Sequence, residues 1–101
     1  MVVNGTVIDV ISATDNISQV VIRTKKDSEY IVIAFTCYYE MTTLIRQLRL
    51  EKGDLVKITY YVKSKKYESK YYTSAIVEKL HITQKKSEQL TFVDTMTGEI
   101  Y

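Results

Sequence analysis

The 101-residue chain has no proline, only one cysteine and only three glycines. The absence of proline excludes rigid proline-rich linkers. The glycines stand apart at positions 5, 53 and 98, so the chain has no glycine-rich loop of the kind that holds nucleotide phosphates. The single cysteine, Cys37, cannot form an intrachain disulfide, which predicts a reducing, cytoplasmic environment.

Long apolar runs are also absent. No stretch approaches the roughly 18 to 20 apolar residues that a membrane helix needs, and no signal-peptide pattern opens the sequence. Apolar residues make up 46% of the chain, a share that is ordinary for a globular protein and argues against disorder. We therefore expect one small domain with no membrane partner.

Residues for catalysis and metal binding are scarce. His81 is the only histidine, and it lies in an apolar stretch. Cys37 has no second cysteine or a nearby histidine that could activate it or share a metal ion. Asp9 and Glu78 belong to predicted strands and have no motif around them. We predict no enzyme activity, no metal site and no cofactor.

The net charge of +2 conceals an uneven distribution along the chain. Residues 1–51 carry five basic and six acidic side chains, whereas residues 52–86 carry nine lysines against three acids. Residues 87–101 then carry three acids and no base. A neutral half, a basic segment and an acidic end predict a surface that binds a polyanion.

The basic segment contains the sequence YYVKSKKYESKYY at residues 60–72. This stretch holds five of the nine tyrosines and four lysines, with Glu68 as its single acid. Packing in a hairpin could explain the tyrosines alone. Lysines that contact phosphates beside rings that stack on bases would explain both residue types, because stacking accepts any base.

The pattern of apolar residues predicts five strands and one helix. Valine, isoleucine, threonine and tyrosine dominate the predicted strands, as expected for pleated, half-buried segments. At spacings of three and four, Tyr38, Met41, Leu44, Ile45 and Leu48 indicate one face of a helix that ends before Gly53. The predicted elements are strands 3–13, 17–25 and 29–36, a helix over 38–49, and strands 55–63 and 70–82.

This order predicts an all-β domain with one helix, namely a five-stranded Greek-key barrel of the oligonucleotide-binding (OB) type. A resemblance to a known family lies in the first strand (NGTVIDV), the end of the helix (LEKGDLVKI) and the basic, aromatic hairpin before the last strand (KSKKYESKYY). In these features residues 3–82 resemble a small OB-fold single-stranded DNA-binding protein of the bacterial or phage type. The predicted organisation is an OB domain over 1–83, followed by an acidic tail or small hairpin over 84–101. The chain differs in having tyrosines where such proteins often have tryptophan or phenylalanine, and in lacking their densely acidic, proline-phenylalanine tip.

The resemblance implies sequence-independent binding of single-stranded DNA, which protects replication or recombination intermediates in a bacterial cell or phage-infected host. The expected partners are single-stranded DNA, further copies of the chain in a homo-oligomer (a dimer first), and replication or recombination proteins recruited through the tail. Two alternatives keep the fold but bind RNA or dock an acidic protein, because one fold hosts many functions.

Residues 64–69 are predicted as the loop between the fourth and fifth strands, beside the ligand groove of an OB-fold. Tyr60 shares a strand face with Val62 and is assigned to the core by periodicity. Tyr38 and Tyr39 are predicted to pack against the domain. Tyr72 is assigned neither to the core nor to the nucleic-acid contacts. The predicted nucleic-acid contacts are Arg23, Lys25, Lys26, Tyr30, Lys57, Tyr61, Lys63, Lys65, Lys66, Tyr67, Lys70 and Tyr71.

Overall fold

The computed structural model describes residues 1–86, and the strands it contains close into a barrel. Their order around the barrel is β1-β2-β3-β5-β4, with β3 and β5 parallel and every other pair antiparallel. The predicted order of elements and the five-stranded barrel are confirmed. The elements are β1 (Val2–Ser12), β2 (Ile17–Lys26), β3 (Glu29–Tyr38), α1 (Glu40–Gln47), β4 (Leu55–Tyr67) and β5 (Lys70–Gln84).

Alternation along the strands builds the core. Val20 and Ile22 of β2 are fully buried and pair with Phe35 and Ile33 of β3, so these side chains share the inner face. Helix α1 packs onto this core through Ile45, and Thr42 hydrogen-bonds the Ser18 hydroxyl at 3.0 Å. Each buried side-chain polar atom within residues 1–86 has a hydrogen-bond partner.

Gly5 of β1 occupies a point of close approach between two strands. A Cβ atom at this position would lie 2.8 Å from the carbonyl oxygen of Arg23 on β2. The register shift of β1 falls further along, between Val7 and Asp9. The glycine therefore allows β1 and β2 to lie close together at the barrel wall.

The helix is shorter than predicted, because Tyr38 ends β3 and Tyr39 lies outside both elements. At the other end, Arg49 adopts a positive φ of 54°, and the N–H groups of Arg49 and Leu50 donate to the carbonyls of Arg46 and Ile45. This pattern satisfies the last carbonyls of the helix. Gly53, with φ of 96°, makes the later reversal into β4 rather than ending the helix itself.

The predicted loop over 64–69 is wrong. Strand β4 continues to Tyr67 and β5 begins at Lys70, so only Glu68 and Ser69 make the turn. Tyrosine and threonine favour extended backbone, and the hydroxyls of Ser64 and Thr73 hydrogen-bond across the two strands at 2.9 Å. The positive φ of 57° at Glu68 completes a tight reversal.

The end of the β4–β5 hairpin extends beyond the barrel. Val62, predicted to share the core with Tyr60, is therefore 49% exposed. Tyr60 itself confirms its assignment, because its ring packs edge-on against Phe35 with the ring centroids 4.9 Å apart. The core thus ends between these two positions of β4.

A buried carboxylate fixes the end of β5. Asp54 is fully buried, and its oxygens accept hydrogen bonds from Lys85 Nζ at 2.8 Å and from the backbone N–H groups of Lys86 and Glu51. Burial alone would raise the pKa of Asp54, but these hydrogen bonds and the Lys85 charge outweigh it and lower the pKa below 3.8. The predicted tail over 84–101 lies outside the described residues from position 87 onward, and so does its predicted recruiting role.

Candidate functional site

The β4–β5 hairpin has two faces with different side chains. Side chains that oppose each other across paired strands lie on the same face, and they alternate along each strand. The pairings Tyr61 with Ile76, Lys63 with Ser74 and Lys65 with Tyr72 therefore define one face. On the opposite face Lys66 pairs with Tyr71, and the ammonium lies 5.8 Å from the ring centroid.

The first face forms one wall of an open groove of about 610 Å³, which we call the hairpin groove. Ile76 is buried at its floor, and Tyr61 and Tyr72 are both exposed. The lining contains two lysines and no acid, so the groove favours an anionic ligand. The residues that line it are Tyr38, Tyr39, Tyr61, Lys63, Lys65, Tyr72, Ser74 and Ile76.

The other wall of the hairpin groove comes from the junction of β3 and α1. The rings of Tyr38 and Tyr39 lie with centroids 6.3 Å apart and planes tilted by 34°. Both rings are exposed, so the prediction that they pack is wrong. The reason is the shorter helix, because a residue before the first helical turn does not follow the apolar face of that helix.

A second basic and aromatic group lies on the outer face of β2 and β3. Lys25 pairs directly with Tyr30, and the guanidinium of Arg23 lies 4.9 Å from the centroid of the same ring. These three residues, which we call the β2–β3 cluster, also line a groove of about 800 Å³ along β1 and β2. A cation held over a tyrosine ring keeps its charge at the surface in a defined place.

One continuous outer surface joins the β2–β3 cluster to the hairpin groove. Tyr30 and Thr36 lie on the same face of β3, six residues apart, which is about 20 Å along a strand. Thr36 pairs with Ile76 of β5, the floor of the hairpin groove. Arg23 and Lys25 share the outer face of β2, and Tyr61 and Lys63 share the outer face of β4, so all four lie on the outer side of the barrel wall.

Other predicted contacts lie elsewhere. Lys66 and Tyr71 are on the opposite hairpin face, and Lys26 pairs with Glu29 on the face of the β2–β3 hairpin away from Tyr30. Lys57 faces outward between Asn4 and His81 and lines none of the grooves described here. At the hairpin tip, Tyr67 and Lys70 pair with each other on the face of the hairpin groove but beyond its lining.

Comparison with known proteins supports the fold. No family model and no curated protein matches the chain. A mitochondrial single-stranded DNA-binding protein of S. cerevisiae is 11% identical with a TM-score of 0.60, and the match covers 83% of this chain and 93% of that one. Yeast RPA bound to single-stranded DNA is 7% identical with a TM-score of 0.51, covering 99% of this chain and 86% of that one. The chain is an OB-fold domain.

Sequence reasoning missed five residues of the hairpin groove in this OB domain. Two are the tyrosines before α1, and three are on β5: Tyr72, Ser74 and Ile76. The signal for the β5 residues was the turn, because a two-residue Glu68–Ser69 reversal sets Lys65 opposite Tyr72. Between Thr59 and Tyr60 the pairing skips one residue of β5. Because of this bulge, the register near the barrel does not predict which β5 residues face the groove.

The OB domain offers little for covalent or metal chemistry in its described part. Burial raises the pKa of the Cys37 thiol to about 11, although a hydrogen bond with the Ser18 side chain opposes that shift. The thiol is therefore protonated near neutral pH and is a poor nucleophile. Within residues 1–86, no three His, Cys, Asp or Glu side chains gather where they could hold a metal ion. In the same part of the chain, no helix has both the length and the apolar character that a membrane crossing requires.

Proposed function

We propose that this OB domain binds single-stranded DNA without sequence preference, along the surface that runs from the hairpin groove to the β2–β3 cluster. The observation that carries the proposal is the hairpin groove, where exposed tyrosines and lysines share one face with no acid among them. The rings can stack on any base, and the ammonium groups can neutralise phosphates. The solved structures of similar fold are named for binding single-stranded DNA, which supports the same function here.

In this mechanism, bases lie against the rings and the backbone faces the lysines. Tyr61 and Tyr72 provide stacking surfaces within the groove, while Lys63 and Lys65 lie on the same face beside them. Arg23 and Lys25 of β2 extend the positive surface, with Lys25 opposite Tyr30 and so about 20 Å from Thr36 in the direction of β3. A duplex cannot use the rings, because its bases are already stacked on each other. Because such binding does not depend on base sequence, the domain could cover any exposed strand, and we propose that it protects single strands during replication or recombination.

Fluorescence anisotropy with labelled oligonucleotides of unrelated sequence tests this function. We expect similar affinities for different single strands and much weaker binding of duplex of equal length. With roughly three to five phosphate contacts, log affinity should fall against log salt with a slope of about −2 to −3.5. The proposal would be wrong if no oligonucleotide bound, or if the affinity did not change with salt concentration.

Two further measurements separate the alternatives. Competition between DNA and RNA oligonucleotides of equal length establishes which strand the domain prefers, because the groove lining contains no feature specific for either sugar. Sedimentation of the protein with and without DNA tests the proposed dimer. An acidic protein partner in place of nucleic acid would be indicated if single strands of both kinds fail to bind.

A further inference from the structure

Tyr39 has a backbone conformation that is rare for residues other than glycine. Its φ and ψ are 47° and −108°, in a sparsely populated region. The surrounding hydrogen bonds impose this geometry: the Tyr39 N–H donates to Asn16 O at 2.7 Å, and the Tyr39 carbonyl accepts from the Thr43 N–H at 3.1 Å. Backbone strain of this kind persists only where neighbouring structure enforces it, and it is concentrated at functional sites.

The strain does not serve the core, because the Tyr39 side chain is 66% exposed. A glycine would adopt the same backbone without strain. The ring instead lies at a boundary, where it lines both the hairpin groove and a neighbouring groove of about 580 Å³ beside α1. We call the latter the helix groove. An exposed ring held between two grooves is suited to contact a ligand that passes from one to the other.

The chemistry of the helix groove differs from that of the hairpin groove. Its single charged side chain is Glu40, so it disfavours phosphate. Met41 and Leu44 provide apolar surface, and side-chain amides add hydrogen-bond donors and acceptors. A flat, neutral nucleobase suits this lining better than a sugar-phosphate backbone. The lining consists of Asn16, Tyr39, Glu40, Met41, Thr43, Leu44 and Gln47.

We infer that the helix groove is a nucleobase subsite, in which one base of a bound strand stacks on Tyr39 and presents its edge to Glu40. This inference rests on the proposed binding of single-stranded DNA and adds to it a modest preference at one base position, while the other stacking and phosphate contacts still accept any sequence. A carboxylate only accepts hydrogen bonds, so Glu40 favours bases with an amino group, such as cytosine, over thymine, whose one donor (N3–H) lies between two carbonyl oxygens that repel the carboxylate.

The Tyr39→Gly variant tests the stacking role. Its affinity for single-stranded DNA should fall about 5- to 150-fold, the loss expected for one stacked base. Its urea midpoint should stay level or rise, because glycine relieves the strain. Tyr39→Phe keeps the ring and should bind normally. Ser28→Gly is the matched control, since Ser28 also has a positive φ (72°) but lies at the β2–β3 turn; binding should not change.

The Glu40→Gln variant tests base reading. The ratio of affinities for oligo(dC) and oligo(dT) should fall at least about threefold, because an amide can pair with thymine as well as with cytosine. Glu51→Gln, an exposed acid outside the helix groove, should leave the ratio unchanged. Normal binding by Tyr39→Gly, or an unchanged ratio in Glu40→Gln, would overturn the subsite while the proposed function stood. Failure of the unmodified protein to bind any oligonucleotide would remove both.

Discussion

Two adjacent tyrosines of β5 allow a direct test of the hairpin groove. Tyr72 lies in the groove opposite Lys65 and is 57% exposed, whereas Tyr71 is on the other face opposite Lys66 and is 70% exposed. The two residues share their chemistry, their neighbours in sequence and a similar exposure. They differ in the side of the hairpin that they face.

We expect Tyr72→Ala to weaken binding of single-stranded DNA by about 1–3 kcal/mol, the range for loss of one base stack. This corresponds to an increase in Kd of about 5- to 150-fold at 25 °C. Tyr71→Ala should change Kd much less, because its ring faces away from the groove. Both exposed rings contribute little to folding, so the free energy of unfolding should move by only about 0.5 kcal/mol in either variant.

The assay is fluorescence anisotropy of a labelled oligo(dT) titrated with each variant at one fixed salt concentration, with urea unfolding of the same samples. Equal losses of affinity in the two variants would show that both faces of the hairpin contribute equally to binding, which contradicts the assignment of the ligand to the hairpin groove. A larger loss for Tyr71→Ala would place the ligand on the opposite face. A loss for Tyr72→Ala that matches a large fall in stability would assign the ring to packing instead.

Three other outcomes follow from the structure. Lys65→Ala should make the slope of log affinity against log salt shallower by about 0.7, whereas Lys66→Ala should leave it unchanged, since only Lys65 lines the groove. Tyr60→Ala should lower the free energy of unfolding by about 3 kcal/mol, because its ring packs on Phe35, and urea unfolding would show a smaller loss if the ring were dispensable. The Asp54 carboxylate, with its lowered pKa, stabilises the fold above pH 3.8, and this contribution is lost as pH falls through the folded-state pKa; acid unfolding of Asp54→Asn should therefore show a weaker dependence on pH.

The order of elements and the composition of the hairpin could be predicted from the sequence. Alternating apolar residues marked the inner faces of β2 and β3, and they correctly assigned Tyr60 to the core. The same periodicity placed Tyr38 and Tyr39 on a helix that begins only at Glu40. Local periodicity could not exclude that assignment, because the hydrogen bond from Tyr39 to Asn16 that breaks the pattern joins residues distant in the chain.

The residue pattern alone indicates that tyrosines and lysines gather in β4 and β5 and that the chain has enough apolar residues for a barrel. Which of those side chains share a surface depends on how the strands pair in three dimensions. The reason is that burial constrains the inward positions, where an apolar side chain leaves water, and so leaves a periodic record in the sequence. Outward positions carry no such constraint. Their grouping into the hairpin groove depends on the two-residue turn at Glu68, the irregular pairing near Tyr60 and the parallel contact of β3 with β5, all of which arise from cross-strand register.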